Sequence, residues 1–266
     1  EVGHMRWVRY EADNKVSYGI LEGDDIIEEV SGSPFEGYTN TGVRRKLDSV
    51  KLLIPVVPPT FYAAGLNYED HLKVADPGLG LSVADIPTRP NIGYRANNAL
   101  IAHGEPIVVP KDTTEKVQYE GELVVVIGKK AKNLTEEDAF SCVLGYTMGN
   151  DVSERTWQAS DGTMWRSKNT DTFKPMGPWI DTEADPTKMR TEVRLNGKRV
   201  SEFDTTNMVF SIATYISAMT RYLTLYPGDV IWMGTDGATD NMKPGDVVEI
   251  EITGLGVLRN PVVAGE

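Results

Sequence analysis

Three acidic residues stand where a metal ion could be held. Glu120 and Glu122 lie two residues apart at the mouth of an apolar run, Leu123 to Ile127. Asp151 follows a second strand-like run, Tyr146 to Asn150. If the first run is a strand, its period of two puts both glutamates on one face. The Leu-Val-Val-Val-Ile block does not alternate, which predicts a strand buried on both faces. Two like charges at the end of such a strand repel and are costly to desolvate, so something positive belongs between them. Three oxygen ligands with no cysteine or histidine beside them favour Mg²⁺, Mn²⁺ or Ca²⁺ over zinc. On spacing alone the same pattern also describes a solvated strand edge.

The elements that must position these residues are mostly strands. Arg6 to Tyr10, Val16 to Leu21 and Asp25 to Val30 read as a small β-meander, with turns at Asp13-Asn14 and Gly23-Asp24. Thr39-Asn40-Thr41 and the basic residues after it predict a loop or short helix. The proline-rich Ile54 to Pro59 segment is a stiff linker. It divides a β-rich module, residues 1–55, from a larger domain, residues 56–266. Residues 1–4, before Met5, read as an expression scar. Phe61 to Gly65 is a strand, and Asn67 is placed to cap a helix. Residues 76–90 are rich in proline and glycine, the composition of a lid or connection.

Thr135-Glu136-Glu137-Asp138 resembles a capping box, predicting a helix from Glu136 to Leu144 that contains Cys142 and stops at Gly145. Residues 158–169 are polar and include Lys168. The chain then returns to the sheet between Asp171 and Ile180. Asn196-Gly197 marks a hairpin between Val193 and Val200. Met208 to Tyr222 has the apolar spacing of an amphipathic helix. Strands outnumber helices, and no βαβ alternation is sustained. The fold class is α+β and strand-dominated.

Composition narrows the partners. A chain of 266 residues with 40% apolar content can build one large domain plus a small module. A formal charge of −12 argues against nucleic acid and anionic membrane surfaces. The single cysteine, Cys142, excludes an internal disulfide and fits a reducing, cytoplasmic setting. There is no apolar run of about 18 residues, so no membrane helix is expected. Beyond His4, only His71 and His103 could do imidazole chemistry. There is no Gly-x-Ser-x-Gly elbow, phosphate loop or Gly-x-Gly-x-x-Gly turn.

The ordered motifs carry a family resemblance. They are Gly65-Leu66-Asn67-Tyr68-x-x-His71, Tyr119-Glu120-Gly121-Glu122-Leu123, and Asn150-Asp151-Val152-Ser153-x-Arg155-x-x-Gln158. Lys168-x-x-Asp171-Thr172-Phe173-x-Pro175-x-Gly177-Pro178 follows, then Pro227-Gly228-Asp229-Val230-Ile231 with Gly234-Thr235, and Gly245 to Ile250. Over residues 60 to 262 the chain resembles the fumarylacetoacetate hydrolase superfamily, on its acylpyruvate-hydrolase-like branch.

That resemblance implies a mixed β-sandwich roll, a homodimer, and Mg²⁺ or Mn²⁺ (Ca²⁺ is also allowed) held by Glu120, Glu122 and Asp151. It places Lys168 as a catalytic lysine and His71 as a water-activating histidine. Substrate contacts fall on Arg155, Gln158, Gly234, Thr235, Tyr68 and Arg95. Three positions depart from the family pattern. Val74 stands where the family's hydrolases carry the glutamate that orients the histidine. Gly93-Tyr94-Arg95 replaces Phe-x-Lys, and Asp236 replaces a proline.

The resulting expectation is metal-dependent hydrolysis of a carbon–carbon bond in a 2,4-diketo acid, with a small 2-oxo acid as partner. The alternatives are decarboxylation or isomerisation of a 2-oxo diacid on the same site, which needs no activated water, and a non-catalytic metal- or metabolite-binding protein.

Overall fold

The computed structural model describes residues 5–68 and 87–266. Nineteen strands run through the described residues. The first five are β1 (Arg6–Ala12), β2 (Lys15–Glu22), β3 (Ile26–Ser33), β4 (Gly37–Lys46) and β5 (Lys51–Leu52). Next come β6 (Phe61–Ala64), β7 (Ile92–Tyr94), β8 (Leu100–Ile101), β9 (Ile107–Val109) and β10 (Val117–Gln118). The central strands are β11 (Gly121–Ile127), β12 (Val143–Asn150), β13 (Ser153–Glu154) and β14 (Lys174–Asp181). The last five are β15 (Arg190–Leu195), β16 (Lys198–Asp204), β17 (Val230–Trp232), β18 (Val247–Ile252) and β19 (Gly256–Ala264). Among the described residues three α-helices join them: α1 (Arg155–Ser160), α2 (Trp165–Asn169) and α3 (Ile212–Tyr222).

A twelve-stranded mixed sheet follows the order β4-β3-β2-β1-β14-β12-β11-β17-β6-β7, with β5 on β1 and β8 on β14. A five-stranded sheet, β16-β15-β18-β19-β9, packs against it, and β10 pairs with β13. The strand-dominated expectation holds. Between the sheets lies the main core, where Leu123, Val125 and Ile127 meet Val193, Ile250 and the apolar face of α3. Behind the large sheet, Val124 and Val126 pack with Trp7, Phe61, Met176 and Trp232. All seven residues of β11 are buried. Its lack of alternation has this cause: both of its faces carry core.

The meander of the first fifty residues is present and extends further than its sequence suggests. The Thr39 region is not a loop or helix; it lies within β4, paired in register with β3 (Val30 with Asn40). An exposed, polar edge strand carries no alternating apolar signal to announce it. β1 then pairs with β14 through Arg6 opposite Asp181 and Trp7 opposite Ile180, so one sheet continues across residue 55.

The helix expected from Glu136 to Leu144 is reduced to a 3₁₀ turn, Ala139–Cys142. The Thr135 hydroxyl does accept the Asp138 N–H at 3.3 Å. From Val143, however, the chain is claimed by β11, pairing Val143 with Ile127 and Gly145 with Val126. Tertiary pairing overrides a local start signal. The hairpin at Asn196-Gly197 forms with both residues at positive φ, the geometry a two-residue turn requires. The helix expected from Met208 to Tyr222 forms from Ile212 onward as α3, capped by Ser211, with Met208 instead bridged to Tyr68; the helix buries Ile212, Tyr215, Ile216 and Met219.

Candidate metal and active site

The acidic set forms where β11 and β12 begin to part. Gly121 pairs with Asn150 and Glu122 with Gly149. One step beyond the ladder, the Asp151 N–H donates to the Glu120 carbonyl at 2.9 Å. The Glu120 N–H donates to Asn150 Oδ1 at 3.0 Å. The three carboxylates are thus placed by backbone rather than by flexible loops. Gly149 has a specific reason to be glycine: a Cβ there would lie 2.5 Å from the Trp232 ring. One oxygen from each of Glu120, Glu122 and Asp151 lies within 4.8 Å of the others. All three residues are at most 5% exposed, which rules out the solvated-edge reading.

Cations converge on two of the three acids. The Arg95 guanidinium spans Asp151, with Nε 3.2 Å from Oδ1 and an Nη 3.0 Å from Oδ2. Lys174 Nζ lies 2.9 Å from Asp151 Oδ1, and Lys168 Nζ lies 3.5 Å from Oδ2. Glu120 Oε1 takes Arg155 at 2.6 Å and Lys168 at 3.0 Å. Glu122 differs. Its Oε1 accepts the Gly234 N–H at 2.6 Å, while its buried Oε2 has no hydrogen-bond partner.

These surroundings shift Asp151 and Glu122 in opposite directions. Burial alone would raise Asp151, but Arg95, Lys168 and Lys174 outweigh it and hold the group well below the usual carboxylate range. Burial, then repulsion from Asp151 and Glu120, pushes Glu122 well above that range, and Arg95 and Lys168 only partly offset it. Burial also pulls Lys174 down to about 8, against the pull of Asp151. An oxygen-only donor set with one buried, unpartnered carboxylate oxygen fits a hard dication such as Mg²⁺, Mn²⁺ or Ca²⁺.

The remaining expected site residues gather around this set in different ways. Lys168 enters from the short helix α2, buried between Glu120 and Asp151. Arg155 opens α1, which Glu154 caps by accepting the N–H groups of Thr156 and Trp157. Its guanidinium also donates to Gln118 and to Gln158 Oε1, both at 2.9 Å, so Gln158 is tied to the site through Arg155. Gly234, at φ 90°, enters through its backbone N–H; a Cβ there would meet Asn67 at 3.1 Å. Thr235 is buried beside it and accepts the Gly237 N–H at 3.3 Å. Tyr68 is buried edge-on to Phe203, its phenol raised by burial and then by Glu122 and Asp236. Arg95, at the end of β7, rests on Asp151. His71 and Val74, with Glu69, Asp70 and Asp76, lie outside the described residues. His103 is elsewhere: its Nδ1 accepts the Arg259 N–H.

Two contributors were not expected at the site from the sequence. Lys174 occupies an open position of the Phe173-x-Pro175 motif, yet it is fully buried and contacts a site carboxylate. A lone lysine among Phe173, Pro175 and Met176 was the available signal. Asn67 is the other: its amide donates to the Phe210 and Met233 carbonyls and its Oδ1 accepts the Phe210 N–H at 2.9 Å, holding the segment before Gly234 in place; the helix expected after it lies outside the described residues.

Comparison with known proteins is consistent over the whole chain. The family model for the C-terminal domain of fumarylacetoacetate (FAA) hydrolase matches residues 60–263, and one for Rv2993c-like N-terminal segments matches residues 5–55. The chain is 34% identical to a 2,4-didehydro-3-deoxy-L-rhamnonate hydrolase of Sphingomonas, over 97% of this chain and 96% of that protein. A 5-carboxymethyl-2-hydroxymuconate delta-isomerase from Mycobacterium smegmatis superposes with a TM-score of 0.88 at 36% identity, covering 98% of this chain and all of that one. A maleylpyruvate hydrolase from Sphingobium, solved with manganese(II) and pyruvate, gives 0.79 at 25% identity with the same coverage.

Proposed function

The chain belongs to the fumarylacetoacetate hydrolase family, and from that premise we propose that it is a metal-dependent hydrolase cleaving a carbon–carbon bond in a 2,4-diketo acid. The observation that carries this reading is the meeting of four cationic side chains, Arg155, Lys168 and Lys174 among them buried, with two of three buried carboxylates, the third keeping an unpartnered oxygen. A site so built is suited to an anion on which further negative charge develops.

Glu120, Glu122 and Asp151 would hold the metal. A bound dication would supply Lewis acidity, polarising the 2-oxo group and absorbing charge as it builds. Lys168, fixed 3.0 Å from Glu120 and 3.5 Å from Asp151, stabilises the oxygen of the pyruvate-type enolate released by cleavage. Arg155 and Gln158 orient the substrate carboxylate. In the hydrolytic reading His71 takes a proton from the water that attacks the distal carbonyl, and the carbon–carbon bond then breaks toward the 2-oxo acid half. Named relatives that are hydrolases, one of them holding manganese and pyruvate, support this choice.

A second reading has its own observation. Val74 stands where a carboxylate would orient His71, which favours isomerisation or decarboxylation of a 2-oxo diacid, and a structural neighbour is named as an isomerase. Both chemistries share the enolate and differ in water. Acylpyruvates and 2-oxo diacids should be assayed with Mg²⁺ or Mn²⁺, with and without chelator, in ¹⁸O-labelled water. Hydrolysis puts ¹⁸O into the acid product. Turnover without that label establishes the second reading, and activity indifferent to chelator and to Glu120→Ala contradicts both.

A further inference from the structure

Lys174 has no part in the reaction as described, yet it is the most completely buried charge at the site. It starts β14 with no exposure, and its three N–H donors meet three acceptors. These are Asp151 Oδ1 at 2.9 Å, the Val152 carbonyl at 2.7 Å and the Phe173 carbonyl at 2.9 Å. An ammonium with all its donors spent in this way cannot reach a substrate. It acts through Asp151, as a positioning residue. Lys168 and Arg95 also touch Asp151, so this one carboxylate serves three cations.

Four described cations, Arg95, Arg155, Lys168 and Lys174, are ion-paired to Glu120 and Asp151, and with Glu122, which has no ion pair, the triad supplies one charge fewer than they do. A dication entering this set adds two further positive charges in a water-poor interior, where like charges repel strongly. Such a centre binds its metal firmly only when a ligand brings negative charge with it. A monoanion offsets part of the excess, and a dianion offsets more. Affinity for metal and affinity for anion are then linked, each raising the other by the same factor.

We propose that Lys174 makes metal binding depend on substrate binding: by fixing a positive charge directly behind Asp151, it leaves the bare triad a weak dication site that is completed by a 2-oxo acid carrying two carboxylates. The inference rests on the metal site of the proposed function and narrows its substrate class to diacids. A neutral amide at position 174 should strengthen the bare site and weaken the linkage, while arginine should preserve both.

Calorimetric titration of Mn²⁺ at pH 7 tests this in the intact chain, with no ligand, with pyruvate and with oxalate, corrected for manganese–oxalate complexes in solution. For the wild type, oxalate should tighten Mn²⁺ at least about tenfold and pyruvate by less, a coupling within the usual allosteric range. In Lys174→Gln, Mn²⁺ alone should bind about tenfold more tightly, and the oxalate effect should fall to about threefold or less. Lys174→Arg should behave as wild type, which a merely structural role would not yield. Wild-type coupling below about twofold overturns the proposal whether or not the variants fold, as does a Lys174→Gln site with unchanged Mn²⁺ affinity. Failure of the wild type to bind Mn²⁺ even with oxalate contradicts the metal site itself, a distinguishable result.

Discussion

Glu122 is the residue on which the site's energetics turn. Its buried oxygen without a partner costs stability, which a metal would recover. In metal-free protein, Glu122→Gln should therefore raise stability by about 1 kcal/mol at pH 7, since an amide keeps an acceptor for the Gly234 N–H and carries no charge. The sign follows from the raised carboxyl. As pH climbs above about 4.3, the unfolded Glu122 loses its proton before the folded one, so the wild type loses stability from this group. The gain of the variant should be absent below that pH and grow above it, as urea titrations at several pH values would show. The same variant should lose Mn²⁺ binding. Lys168→Met should lower kcat about 100- to 1,000-fold, the usual cost of removing a donor from a developing oxyanion, with far less change in KM. At this scale the three acids were legible from their spacing, and Lys168 from the family motif. Lys174 was not, because its apolar neighbours hint at burial but not at the carboxylate it reaches, twenty-three residues earlier in the chain.

Among the elements, β11 and β12 matter most, because their ladder sets the acids' positions. Gly149→Val should drive the new side chain into Trp232 and shift the backbone opposite Glu122. A loss of about 1–3 kcal/mol is expected, with weaker Mn²⁺ affinity. Gly162→Ala, where a Cβ meets nothing and φ is ordinary, is the control that should leave both unchanged. Strands with strong signals were readable: the unbroken apolar run of β11 and the Asn-Gly hairpin between β15 and β16. The helices were less so. α1 and α2 are too short to show a period, and the second is preceded by Met164 in a left-handed conformation that no sequence pattern marks. The Glu136 helix failed because pairing of Val143 onward with β11 contributes more than a capping signal does.

At the scale of the whole molecule, the large sheet runs from the N-terminal strands into the site-bearing strands through β1 and β14, with Trp7 in the core behind β11. Chemical denaturation should accordingly show one transition, with Trp fluorescence and far-ultraviolet circular dichroism coincident. No helix among the described residues is long and apolar enough to cross a membrane. Free Mn²⁺ at about a hundred times its Kd should stabilise the fold by about 2.7 kcal/mol, an effect that a chelator reverses. The most direct test of the site is anomalous diffraction from crystals grown with Mn²⁺ and oxalate. A manganese peak bound by oxygens of Glu120, Glu122 and Asp151, with oxalate chelated to it, is the expected result. Carboxylates splayed apart around ordinary solvent, with no peak among them, would contradict it.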